Sequence, residues 1–375
     1  MTLSTTLDGV RATMPPMRRV PSPHRVPSTR PDRAARVARL ARVAGVLAGA
    51  LIGTFVAVGS AAAHGPVPTE PPSAATLLLG WTFEPLPTLA LAVGVGWWLW
   101  AVRKVNREHP GNPVPRRRTA AFLGGILALA FALLSGIAVY DTDLFSVHMV
   151  QHVLLMLVAA PLIALGAPIT LLLRVSSHET RIRWWLPILH SRVVRVIAHP
   201  VVAWVMFAGM MWGVHFSPLF NASLEDPIIH DIEHVIFIVG ALLFWWPAVA
   251  LDPAPFRMSH PARIGYLFTQ MTQNTFLAVV ILNATDVLYA HYQTLVRPWG
   301  LSPLEDQRLA AGIMWIAGDA VFIAAILAVV VGWMRAETMN EARADRQAEA
   351  EMAAIRLRER RLAERLADER REVIP

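Results

Sequence analysis

The sequence predicts an all-α polytopic membrane protein: a bundle of seven transmembrane helices behind an N-terminal signal peptide or extra span. Three observations predict it. Of 375 residues, 55% are hydrophobic and only 16% charged, whereas a soluble domain carries about 25% charged residues. The charges collect at both ends of the chain and in short stretches between apolar runs, the pattern of a polytopic helical protein. Those runs are long enough, at about 1.5 Å per residue, to cross a hydrocarbon core of about 30 Å.

Residues 1–41 are rich in Pro, Ser and Arg and show no apolar period, so they read as disordered. Val43 to Ala63 is an apolar, small-residue run behind Arg36, Arg39 and Arg42. Ala61 and Ala63 fit a signal-peptidase site with cleavage before His64, and the run is also long enough for a signal anchor. The expected domains are therefore 1–63 as leader and signal segment, 64–334 as the membrane domain, and 335–375 as a charged tail. The seven spans are placed near Pro85–Val102, Ala120–Tyr140, Ser146–Leu173, Pro200–His215, Ile229–Leu251, Ile264–Ala284 and Gln307–Met334.

Basic residues alternate between the connecting segments. Arg103 to Arg118, Arg174 to Arg195, Arg257 with Arg263, and the stretch after Met334 are arginine-rich; Asp141–Phe145, Phe216–Ile228 and Thr285–Asp306 are poor in Lys and Arg, with Arg297 the exception. The positive-inside rule puts the basic set in the cytoplasm, with the mature N-terminus outside and the C-terminus inside. The same topology accounts for the net charge of +7 without invoking nucleic acid. The tail mixes Arg with Glu and Asp at helical pairing distances and reads as a solvated cytoplasmic helix. Trp97-Trp98 and Trp245-Trp246 fall towards the cytoplasmic ends of their spans and read as interfacial anchors.

The chain has no cysteine. That excludes disulfides, thiolate metal sites and a cysteine nucleophile. Histidine carries the chemistry instead. His148 and His152 open the third span, His215 ends the fourth, and His230 and His234 open the fifth. Each pair is spaced i, i+4, so both rings share one helix face. All five fall at the outer helix ends, where an ionisable residue faces the bundle interior and marks function. Met156 and Met211 lie one turn deeper, and Met314 lies in the outer half of the seventh span. Imidazole suits copper and thioether suits Cu(I), so His148, His152, His215, His230, His234, Met156, Met211 and Met314 form a candidate path for Cu(I). They should converge in a pocket open to the outside, with Asp231 or Glu233 fixing a ring tautomer. Met149 and Asp231 follow the first histidine of each pair, so the glutamate base of a zinc protease is missing. Asp319 sits near the middle of the seventh span, with Gln270, Gln273 or Asn274 as its possible partner.

The runs HMVQHVLLMLVAAPLIALGAP, MWGVHFSPLF, HDIEHVIFIVGALLFWWP and LEDQRLAAGIMWIAGD resemble the seven-helix CtaG family, assembly factors for bacterial haem–copper cytochrome c oxidases of the caa type. The resemblance spans about Trp81 to Met334 in order, and its specific part is the double HxxxH with an intervening WxxH. It implies seven helices with the N-terminus outside, a role in maturing the oxidase, and copper delivery as the proposed chemistry. The five histidines match its blocks, and Asp306 and Met314 match its last block.

The sequence thus reads as a non-enzymatic factor of the cell membrane. It is expected to bind copper at an outward-facing histidine cluster and to help insert it into oxidase subunits. Its surroundings are membrane lipid; nucleic acid and small-molecule substrates other than copper are not expected. Three rivals stay open: a copper transporter, a b-type cytochrome with bis-histidine haem, and a scaffold without metal.

Overall fold

The structure, a computed structural model, describes residues 68–373. The leader, the signal segment and His64 lie outside the described residues. Helices dominate and no strand occurs among the described residues.

A short helix α1 (Ala74–Leu79) is closed by a capping box between Ser73 and Thr76. The helices at the seven expected positions are α2 (Pro85–Glu108), α3 (Arg116–Leu134), a broken third element, α7 (Pro200–His215), α9 (Pro227–Val249), α10 (His260–Leu282) and α12 (Pro303–Val373). Proline stands in the first turn of α2, α7, α9 and α10, where its missing N–H costs nothing. Among the described residues, five helices are long and apolar enough to cross a membrane, and α7 joins them if it is taken with α8 (Pro218–Glu225), which is bent from it by 71°. Helix α10 is not among them; it carries Arg263, Gln270, Gln273 and Asn274. The all-α polytopic membrane architecture is as the sequence predicts.

The third element departs from a simple span. It runs as α4 (Phe145–His152), a π-helical segment Val153–Ala159, α5 (Ala160–Gly166) and α6 (Pro168–Val175). The break falls at Ala167, which is left-handed at φ 58°. Asp252 holds the new helix start: its carboxylate accepts from the Ile169 and Thr170 amides at 3.1 and 2.6 Å and from the Thr170 hydroxyl at 2.6 Å. Burial raises the Asp252 carboxyl above the usual range, while its bonds to Thr170 and Ile169 pull it down. At the C-terminal end of α9, Arg263 donates to the carbonyls of Ala248 and Val249 at 2.7 and 3.2 Å, the cationic closure a helix C-terminus favours.

Two tryptophans expected at the interface are in the core instead. Trp98 is fully buried and stacks on Phe122 at 3.9 Å. Trp245 is 2% exposed; it stacks on Phe322 at 5.7 Å and donates to the Met156 carbonyl at 2.9 Å. For Trp245 the ring N–H finds an acceptor; for Trp98, whose ring N–H has none among the described residues, the large aromatic area buried against Phe122 outweighs the polar tip. Asp319 is also differently partnered: it accepts from the Thr275 hydroxyl at 2.8 Å and from Trp315 at 3.0 Å. Asn274 instead donates to the Met314 carbonyl, and Gln273 accepts from Trp212. Helix α12 continues without interruption beyond the apolar stretch through Val373.

Candidate metal centre

Helices α4 and α9 bring their histidine pairs face to face. The His148 and His152 rings are 4.2 Å apart along α4, and those of His230 and His234 are 4.3 Å apart along α9. Across the two helices, His148 lies 5.6 Å from His230 and His152 lies 6.4 Å from His234. The i, i+4 spacing sets the first two distances. Packing of α9 against the third element sets the others.

His215, at the end of α7, is buried and stacks on Phe220 at 5.6 Å. Phe220 in turn meets His148 edge-on at 5.1 Å, so His215 stands beside the four-ring group. Its Nδ1 donates to the Met211 carbonyl at 2.8 Å. That bond fixes the tautomer and leaves Nε2 as the lone-pair nitrogen. Met156, Met211 and Met314 are 2–3% exposed and belong to the same apolar core.

The site is closed. The five histidines are 0–7% exposed, which corrects the expectation of a pocket open to the outside. Phe220 of α8, Phe145 at the start of α4, and Tyr289 and Tyr292 around α11 (Ala290–Thr294) make an aromatic cap; Phe220 is 4.3 Å from Tyr289, and Phe145 is 5.6 Å from Tyr292. The loop and short helices between spans are long enough to fold back and bury these rings. Phe237 closes the inner side, edge-on to His152 at 4.6 Å.

Sequence reasoning missed two polar residues here. Asp141 is 2% exposed, and its Oδ2 lies 3.9 Å from Nε2 of His230. Gln151, fully buried between the two α4 histidines, donates to Asp141 Oδ2 at 2.6 Å and to the Ala132 carbonyl at 3.0 Å. Its oxygen then faces His234 Nε2 at 3.0 Å. An amide oxygen only accepts, so His234 carries its proton on Nε2 and its lone pair on Nδ1. The tautomer role expected of Asp231 or Glu233 falls to Gln151: Asp231 is exposed, and neither Glu233 oxygen accepts a hydrogen bond among the described residues. A polar residue inside an apolar run was the available signal for Gln151. Burial pushes the Asp141 carboxyl up to about 8, against the lowering effect of Gln151 and the Thr142 main chain, with Asp143 and Glu233 adding to the rise.

Several buried polar atoms are left over. Neither ring nitrogen of His148 or His152 has a hydrogen-bond partner among the described residues, although the Asp141 main chain approaches His148. Glu233 is 3% exposed and both its oxygens lack a donor. Ser223 lies beside it but gives its proton to the Phe220 carbonyl at 2.8 Å. Buried polar groups are nearly always satisfied, so this concentration of unfilled acceptors is chemically significant. Two groups have all their ligand atoms within 4.8 Å of one another: Asp141 with His230 and His234, and His148 with His230 and Glu233. Two ligands on one tetrahedral ion stand about 3.3 Å apart, so small rotamer changes would close either set around a metal.

Residues 96–336 match the family described as cytochrome c oxidase caa3 assembly factor. The chain belongs to that family. It is 34% identical over 294 residues to the uncharacterized protein Mb0105 of Mycobacterium bovis and to the uncharacterized protein MT0111 of Mycobacterium tuberculosis, and 32% identical over 292 residues to the uncharacterized protein ML1998 of Mycobacterium leprae. Each alignment takes in 76% of this chain but 44% of the relative, so the chain spans less than half the length of these relatives. No solved structure matches. Membership covers every helix that supplies a histidine to the site, and the caa3 assembly factor family is thus the setting in which the cluster is to be read.

Proposed function

We propose that this chain assists the assembly of a haem–copper cytochrome c oxidase by holding copper as cargo at the histidine cluster and releasing it to an oxidase subunit. Four imidazoles from two facing helices, with unpartnered ring nitrogens on His148 and His152, are the observation that carries this reading. His215 and the buried methionines flank the cluster and supply further nitrogen and thioether donors of the kind copper takes. Binding and hand-over need no turnover, so the role is not enzymatic.

In this reading the protein sits in the cell membrane with the cluster towards the outer face and the C-terminal helix in the cytoplasm, as the arginine distribution requires. The segment 1–63 acts as leader and signal or anchor, 64–334 as the membrane domain, and 335–375 as the tail. The closed aromatic cap keeps the cargo from water, and hand-over requires it to move.

The test is elemental analysis, with an absorption spectrum, of the chain purified in mild detergent. About one copper per chain and no Soret band is the expected result. A Soret band with haem iron in place of copper would replace this reading with the cytochrome, and a metal-free chain that also binds no added copper would leave the scaffold. Copper uptake by proteoliposomes would favour a transporter.

A further inference from the structure

We infer that the cluster takes a divalent ion at two overlapping positions that share His230, with Glu233 and His148 completing one and Asp141 and His234 completing the other. The inference rests on the cluster being a metal site, as proposed above, and adds the carboxylates to its ligand set.

The geometry is the first support. Each group of three gathers its ligand atoms within 4.8 Å, and His230 is the member they have in common. Helix α9 provides His230, Glu233 and His234 at i, i+3 and i+4, so one face presents all three. Because both positions need His230, one ion fills one of them at a time. It can exchange Glu233 and His148 for Asp141 and His234 without leaving His230.

The state of the two carboxylates is the second support. Glu233 is buried, and neither of its oxygens has a hydrogen-bond donor. Burying a carboxylate without a paired charge is costly, and a cation at its oxygens would remove that cost. Asp141 is oriented from outside the ligand set: Gln151 donates to its Oδ2, and the Tyr292 hydroxyl donates to its main-chain carbonyl at 3.1 Å. Gln151 also reads the proton on His234, so one amide sets the direction of two ligands of the same position. This is how supporting residues hold a metal ligand set.

Ligand chemistry names the ion. Imidazole with carboxylate oxygen is a harder set than imidazole with thioether, and it suits Cu(II) or Zn(II) over Cu(I). The expectation of Cu(I) from the His and Met pattern is therefore refined: the position at the carboxylates takes the divalent state.

The experiment uses the full chain in mild detergent, with Zn(II), Cu(II), and Cu(I) under reductant against a chromophoric competitor. The unsubstituted chain should bind one equivalent of Zn(II), displaced by Cu(II). Glu233→Gln and Asp141→Asn each spoil one position and leave the other whole, so at least one of these single variants should stay within about twofold of the unsubstituted Zn(II) affinity. The double variant should lose Zn(II) binding, Glu233→Asp should keep more of it than Glu233→Gln, and Cu(I) affinity should stay within about threefold throughout. Zn(II) affinity unchanged in the double variant would overturn the inference, while loss of both metals in His148→Ala/His230→Ala would keep the metal site itself standing. Unchanged binding of both metals in that histidine pair would sink the site. The unsubstituted chain decides even where a buried variant fails to fold: no divalent ion bound, or two equivalents bound, contradicts shared use of His230.

Discussion

His234 donates its Nε2 proton to Gln151 Oε1 at 3.0 Å, and the same amide passes its own proton to Asp141 Oδ2 at 2.6 Å. The α4 residue directly before His152 thus sets the tautomer of His234 on α9. Replacing Gln151 by Leu removes both bonds without adding a charge. Metal affinity should fall by about tenfold to a hundredfold, the usual loss when the partner of a metal histidine is removed. Titration of the purified variant checks this, and wild-type affinity would show that Gln151 is packing alone.

Asp306 joins the last helix to the start of α4, which carries His148 and His152. Its carboxylate accepts from the Phe145 amide at 2.7 Å and from the Ser146 hydroxyl, so it caps α4 from across the bundle. Asp306→Ala leaves a buried helix start without an acceptor, at a cost of about 1–2 kcal/mol. The thermal midpoint should drop and metal affinity should weaken, although no ligand has changed. Asp306→Asn should recover part of both.

Gly125 of α3 lies against the third element where that element turns from its π segment into α5. A Cβ there would stand 2.7 Å from Ile163 Cγ1 and 3.0 Å from the Ala159 carbonyl oxygen. The carbonyl belongs to a helix and cannot yield as a side chain tip can. Gly125→Ala should therefore destabilise by about 1–3 kcal/mol, the range for overpacking, read as a lower midpoint in detergent. Gly96→Ala, which meets nothing within 4 Å, is the matched control and should be neutral.

Orientation is tested by fusion. A reporter active only outside the cytoplasm should work when inserted in the segment 216–228 and fail when fused after Met334. The motive is the alternation of arginine-rich and arginine-poor connections. The reverse pattern would place the histidines on the cytoplasmic side and remove the case for delivery to an outward-facing oxidase site.

Most of the fold was legible because apolar run length and arginine placement are written directly in the chain. Helices stand at all seven expected places, and α7 has the expected limits, Pro200–His215. The break at Ala167 was not legible: it depends on Asp252, more than eighty residues away, supplying a cap. Trp98 and Trp245 were misplaced for the same reason, since an interfacial and a buried tryptophan look alike until the acceptor or stacking partner is known. The four converging histidines followed from i, i+4 spacing on two helices with a common outer end. Asp141 did not follow, because a loop carboxylate gives no sign that Gln151 will hold it beneath an aromatic cap. Nor did the closure of the site, which comes from Phe145, Phe220, Tyr289 and Tyr292 meeting from three separate segments.

The central claim is that the histidine cluster carries copper for the oxidase. The most direct measurement is the copper content and activity of the oxidase in cells whose only copy of this chain carries His148→Ala and His152→Ala. These rings are fully buried, yet removing them barely changes the apolar length of the span, so insertion into the membrane should survive. The account predicts oxidase protein at normal level, depleted in copper and low in activity, with partial recovery when the medium holds excess copper. The control is His178→Ala with His190→Ala, two exposed histidines between α6 and α7, which should be silent. Full copper loading and full activity in the His148/His152 double variant would contradict the account.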